Sequence, residues 1–150
     1  MNPNVIRVGD VVYKKLPEDN PEALIDIVTK ASQLGLGPEY LGTAGDYFLT
    51  KFYDGVEPVW DAATETLMNN ILDSELKYHP DYWFKNLVRD PNGRYLAIDW
   101  EPRGTDWRSA SREVRKDIMF ERYNFMLQGW KRDNPPEFEG SADDAFLLRF

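Results

Sequence analysis

Three oxygen-bearing side chains fall at a spacing that phosphoryl transfer can use. His79-Pro80-Asp81 is followed by Asn86, five residues past the aspartate, and then by Asp99 at the end of the apolar run Leu96-Ala97-Ile98. A carboxylate within reach of a hydroxyl aligns it and takes its proton as the new bond forms, which makes Asp81 the candidate base. Mg²⁺ takes oxygen ligands, only one or two of them from protein, and fills its shell with phosphate and water. The Asn86 amide and the Asp99 carboxylate are the candidate metal ligands, with Glu101 as an accessory acid. Each residue also has a plain structural reading: Asp81 as a helix-initiating cap, Asn86 as a turn asparagine, Asp99 as a charge closing a strand.

These side chains need elements to position them. Val5 to Leu16, broken by Gly9-Asp10, reads as a β-hairpin with a two-residue turn. Asn20-Pro21 predicts a helix start, with Asn as N-cap, and Leu24, Ile27, Val28, Ala31 and Leu34 fall on one helical face. Gly35 to Pro38 ends that helix. Tyr40-Leu41 and residues 47–52 form a strand pair around a Gly-Thr-Ala-Gly-Asp turn, and Asp54-Gly55 reads as a hinge. A helix is expected over Val59 to Leu76, with Trp60, Ala63, Leu67, Ile71 and Leu72 facing inward. A short hairpin then joins Leu87-Val88-Arg89 to Arg94–Ile98 through Asp90-Pro91-Asn92-Gly93. The rest reads as helix from about Asp106 to Lys131, with Val114, Ile118, Phe125 and Trp130 among its apolar positions. Pro135-Pro136 closes it, and a tail from Asp143 to Phe150 is expected to form a short docking helix.

The Asp81, Asn86 and Asp99 set resembles the catalytic and metal loops of the protein-kinase-like fold. The nearest likeness is to the aminoglycoside and choline phosphotransferases, whose metal aspartate sits in an Ile-Asp-Trp-Glu type sequence, here Ile98-Asp99-Trp100-Glu101. The resemblance covers roughly residues 5–130, and its specificity rests on residues 79–101. It implies an α+β chain folded as a miniature two-lobe kinase: a small antiparallel sheet plus helix over residues 1–54, and a mostly helical lobe with a catalytic hairpin over residues 55–150. It also implies ATP and Mg²⁺ as cofactors and a hydroxyl-bearing acceptor, a small molecule or a protein. In such a chain a lysine on the second hairpin strand meets the nucleotide phosphates. Lys14 and Lys15 both qualify, on opposite faces of the strand. Lys14 is preferred because it shares its face with the small Val12. An acid on the next helix, Glu22 or Asp26, is expected to pair with that lysine. His79, the only histidine, is expected to support the loop and not to do chemistry.

The chain also departs from the family. It has no Gly-x-Gly-x-x-Gly loop, and Trp83 stands two residues past Asp81 where the family has a cation, so Lys85 is the candidate for positive charge at the γ-phosphate. With 150 residues it is short for the superfamily, which leaves room for a homodimer that completes the site. Two other readings follow: a pseudokinase acting through nucleotide or protein contacts, and an acidic α+β protein that sequesters a basic partner.

Composition narrows the field. A formal charge of −8 argues against a nucleic-acid partner and fits a cationic substrate or a basic protein surface. The absence of cysteine excludes a disulfide framework and a thiolate nucleophile. No signal peptide or membrane span is visible, so no membrane is expected and the cytoplasm is the default compartment.

Overall fold

The computed structural model describes residues 4–102 and 108–136. Among the described residues the architecture is α+β: two small antiparallel sheets and three α-helices. Strands β1 (Val5–Val8) and β2 (Val11–Lys15) form the first hairpin, turned at Gly9 with φ 60°. Helix α1 (Pro21–Gln33) follows, and then β3 (Tyr40–Ala44) and β4 (Tyr47–Lys51) complete a four-stranded sheet in the order β1-β2-β4-β3. Lys14 pairs with Phe48 and Val12 with Thr50, so these four side chains share one face. Phe48 and Thr50 are buried on that face, beside Ile27, Val28 and Ala31 of α1.

The helix starts where the sequence reading expects, with Asn20 at the N-cap and Pro21 as the first helical residue, but Asn20 takes a left-handed conformation (φ 50°) and its side chain makes no capping hydrogen bond. The β3–β4 turn is tighter than expected. Gly42, Thr43 and Ala44 belong to β3, with a bulge between Tyr40 and Gly42, and Gly45-Asp46 makes the turn at a φ of 57°.

The expected hinge at Asp54-Gly55 is instead a two-residue strand, β5, which pairs with β6 (Leu87–Arg89); β6 in turn pairs with β7 (Tyr95–Ala97). Helix α2 is shorter than expected, Ala62–Leu72, because Asp61 caps it. The Asp61 carboxylate accepts from the Thr64 amide at 2.8 Å, and Thr64 Oγ1 returns the contact to the Asp61 amide. Thr64 and Met68 join Leu67, Ile71 and Leu72 on its buried face.

The last helix, α3 (Arg112–Asp133), buries Arg115, Met119, Tyr123 and Leu127, while Val114 and Phe125 face out at 43% and 71% exposure. Of the four apolar positions named, Ile118 and Trp130 pack against the core while Val114 and Phe125 do not, and a buried arginine and tyrosine help to carry the inner face. Arg115 is satisfied there by the carbonyls of Leu72 and Lys77, and Tyr123 donates to the Val59 carbonyl. Among the described residues no helix is long and apolar enough to cross a membrane. The expected docking tail from Asp143 to Phe150, and the helix start near Asp106, lie outside the described residues.

Candidate functional site

The β6–β7 hairpin brings two of the candidate side chains to one end. Leu87 pairs with Ala97, and the Ile98 amide donates to the Asn86 carbonyl at 2.8 Å, so Asn86 and Ile98 face each other across the open end. Asp99 lies one residue beyond. Its φ of 62° turns the chain there, a conformation that aspartate adopts more readily than most residues. The turn is clamped on its far side. Trp100 is 3% exposed and donates from Nε1 to the Ala97 carbonyl at 2.7 Å. A Cβ on Gly37 would come within 3.0 Å of both Trp100 Nε1 and the Ala31 side chain, so only glycine lets α1's exit pass this close.

His79 ties the Asp81 segment to the same end. It is 1% exposed, accepts the Asp81 amide on Nδ1 at 3.0 Å, and lies 2.9 Å from the Ile98 carbonyl through Nε2. The first bond requires a bare Nδ1, so the proton sits on Nε2 and is donated to Ile98. Burial, set against that hydrogen bond and the nearby Asp99 and Asp81 charges, lowers the imidazole pKa to about 4. The ring therefore stays neutral, packed against Trp100 at 4.6 Å between centroids.

Asp81 itself is held on both carboxylate oxygens. Asn86 Nδ2 donates to the Asp81 carbonyl at 2.9 Å and to Oδ2 at 3.1 Å. Arg122, on α3, reaches Oδ1 with Nε at 3.0 Å and Nη2 at 2.9 Å. With its nitrogen committed, the Asn86 amide has its oxygen left to accept or to coordinate.

Lys85 sits on a single 3₁₀ turn (Phe84–Asn86), exposed, with its ammonium 5.5 Å over the Trp83 ring. Tyr82 and Phe84 are buried core residues, and the Tyr82 hydroxyl donates to the Thr64 carbonyl at 2.6 Å. Trp83 is the half-buried ring of the three, and its Nε1 is buried without a hydrogen-bond partner.

A cavity of about 690 Å³ opens between β2, β4, α1 and the 98–102 segment. Its polar rim includes Lys14, Lys15, Asp99 and Glu101, and its apolar wall includes Leu24, Val28, Phe48 and Trp100. Lys14 is half-buried against this wall. Desolvation lowers its pKa, and the Asp99 carboxylate opposes that shift. Lys15 is exposed at the strand end. The acid facing Lys14 is thus Asp99. Glu22 and Asp26 are exposed on α1, line no part of this cavity and make no ion pair with Lys14, because that helix turns Leu24, Ile27 and Val28 toward the sheet. Asp81, Lys85 and Asn86 also stand outside the cavity lining, on the Ile98 side of Asp99.

Among the described residues, no three His, Asp or Glu groups gather into a metal cage. An ion that takes two protein oxygens and completes its shell with phosphate and water needs no such cage; the candidate pair Asn86 and Asp99 lies at one end of the β6–β7 hairpin. Arg122 was not legible as part of the site, since nothing in the linear chain links it to a residue 41 positions away.

No protein-family model, curated protein or solved structure matches this chain.

Proposed function

We propose that the protein is an ATP- and Mg²⁺-dependent phosphotransferase acting on a hydroxyl, built as a reduced two-lobe kinase-like fold. The observation that carries this reading is the hydrogen-bonded chain from Asp81 through His79 to Ile98, which ties the candidate base to the residue before the candidate metal ligand. The order of elements supports it too: hairpin, helix, strand pair, helix, loop, hairpin, helix is the order that the family resemblance implies.

On this reading the nucleotide enters the cavity, with its base against Leu24, Val28 and Phe48 and its phosphates toward Lys14. Mg²⁺ would be held by the Asn86 amide oxygen and the Asp99 carboxylate, where it supplies positive charge against the phosphates. Asp81 accepts the acceptor's hydroxyl proton. The oxygen forms its bond to the γ-phosphorus as the bridge to the β-phosphate breaks and ADP leaves. Asp99 also opposes the desolvation that lowers the pKa of the half-buried Lys14.

The alternative, a nucleotide-binding module without turnover, is favoured by one observation. Lys85, the cation expected at the γ-phosphate, does not line the cavity, and its ammonium lies 5.5 Å from the Trp83 ring. Thermal unfolding with ATP tests the binding both readings share. Ligand at 100 times its dissociation constant adds about 2.7 kcal/mol of stability. A Mg²⁺-dependent rise in Tm that disappears in Asp99→Ala is expected; no rise with any nucleotide would contradict both readings.

A further inference from the structure

The phosphotransfer reading expects a cation beside the base, and Lys85, the sequence candidate, is exposed with its ammonium 5.5 Å from the Trp83 ring. The place beside the base is filled from another element. Arg122 places Nε and Nη2 at 3.0 Å and 2.9 Å from Asp81 Oδ1, while Asn86 holds Oδ2 at 3.1 Å. We infer that Arg122 is a positioning residue for Asp81, fixing its carboxylate from one side while Asn86 fixes it from the other.

The placement of Arg122 follows from its neighbours. Tyr123 is fully buried and hydrogen-bonded to Val59, Met119 is buried one turn earlier, and Arg115 is tied to the end of α2. The helix therefore cannot rotate to withdraw Arg122 without breaking core contacts. An ionised carboxylate accepts about four hydrogen bonds; the guanidinium takes both sites on Oδ1 and Asn86 one on Oδ2, so Oδ2 keeps a lone pair for an incoming hydroxyl with both braces in place. Stability is a poor reason for the pair. Its side chains are 44% and 34% exposed, and ion pairs this open to water add little to folding. Orientation of a reacting group is a better one, because a small misplacement of a base lowers rate steeply without disturbing the fold.

The inference rests on the phosphotransfer reading, and its test separates the two. Phosphate release from Mg·ATP, with water as acceptor, is measured for wild type, Arg122→Gln, Arg122→Lys, Asp81→Asn and the Arg122→Gln/Asp81→Asn double variant, with Tm recorded for each. Arg122→Gln is expected to lower kcat about tenfold or more with KM for Mg·ATP within about twofold, the signature of a group that acts on the chemical step. Arg122→Lys is expected to recover part of the rate, and the double variant to be no slower than Asp81→Asn alone, since the arginine acts through the aspartate. An unchanged kcat in Arg122→Gln at wild-type Tm overturns the assignment and leaves the phosphotransfer reading standing, as do multiplicative losses in the double variant. Wild type with neither Mg·ATP-dependent release nor stabilisation overturns both.

Discussion

Residues 79–86 and residues 5–15 carry the two halves of the proposed site, and they are anchored by different means. Around Asp81 nearly every polar group is spoken for: His79 joins the segment to Ile98, Asn86 and Arg122 hold the carboxylate, and Tyr82 is fastened to Thr64. Beneath them lies the main core, with Tyr82 and Tyr123 fully buried. The lysine half has no comparable support. All four residues of β1 are exposed, Lys15 is exposed, and the charge facing Lys14 is Asp99, from across the cavity. On the proposed function the comparison teaches a division of labour: the half proposed to do chemistry is organised without ligand, while the half proposed to meet phosphates takes its counter-charge from Asp99.

The largest effect is expected where the organised half is asked to react. Asp81→Asn keeps hydrogen-bonding oxygen near Arg122 but removes the base, and should cost about 10²- to 10⁴-fold in Mg·ATP-dependent phosphate release. Near-wild-type turnover would mean that the ordering around Asp81 serves structure alone.

Next in size is a pH effect of His79 on stability. The folded ring holds its pKa at about 4, below the ordinary value of 6.5. As pH falls through 6.5 the unfolded chain takes up a proton that the folded ring refuses. The contribution is therefore full above about pH 6.5, is lost progressively down to about pH 4, and is level below. At about 1.4 kcal/mol per pH unit, this amounts to about 3 kcal/mol. Urea unfolding of wild type and His79→Gln across that range should show the difference between them shrinking by this amount. A constant difference would show that the ring is not held neutral.

The smallest effects test the lysine half. Lys14→Met should weaken Mg·ATP binding about tenfold, or about 1.4 kcal/mol, by titration calorimetry. Glu22→Gln, on the exposed face of α1, should leave the affinity within about twofold. The reverse ranking would return Lys14's counter-charge to α1.

What could be read from the chain follows the reach of local rules. The first hairpin, the body of α1 and the Asp90–Gly93 turn were legible because each is fixed by neighbours in sequence; Asp90 Oδ1, for instance, accepts from the Asn92 and Arg94 amides. Asp54-Gly55 was not, because its strand partner is residues 88–89, far along the chain. The inner face of α3 was legible only in part because Arg115 and Tyr123 enter the core on hydrogen bonds that hydrophobic spacing does not register. The choice of Asp99 over Glu22 or Asp26 as the acid facing Lys14 likewise depends on how α1 is rotated against the sheet, and Arg122 on how α3 passes the Asp81 segment.

The central claim is that Asn86 and Asp99 hold one ion against phosphates that Lys14 meets. A crystal structure of the protein grown with Mg²⁺ and a non-hydrolysable ATP analogue tests it most directly. The account expects an octahedral ion about 2.0–2.1 Å from an oxygen of each residue, with Lys14 on the phosphates. A nucleotide seated elsewhere, or an ion that leaves Asp99 uncoordinated, would contradict it.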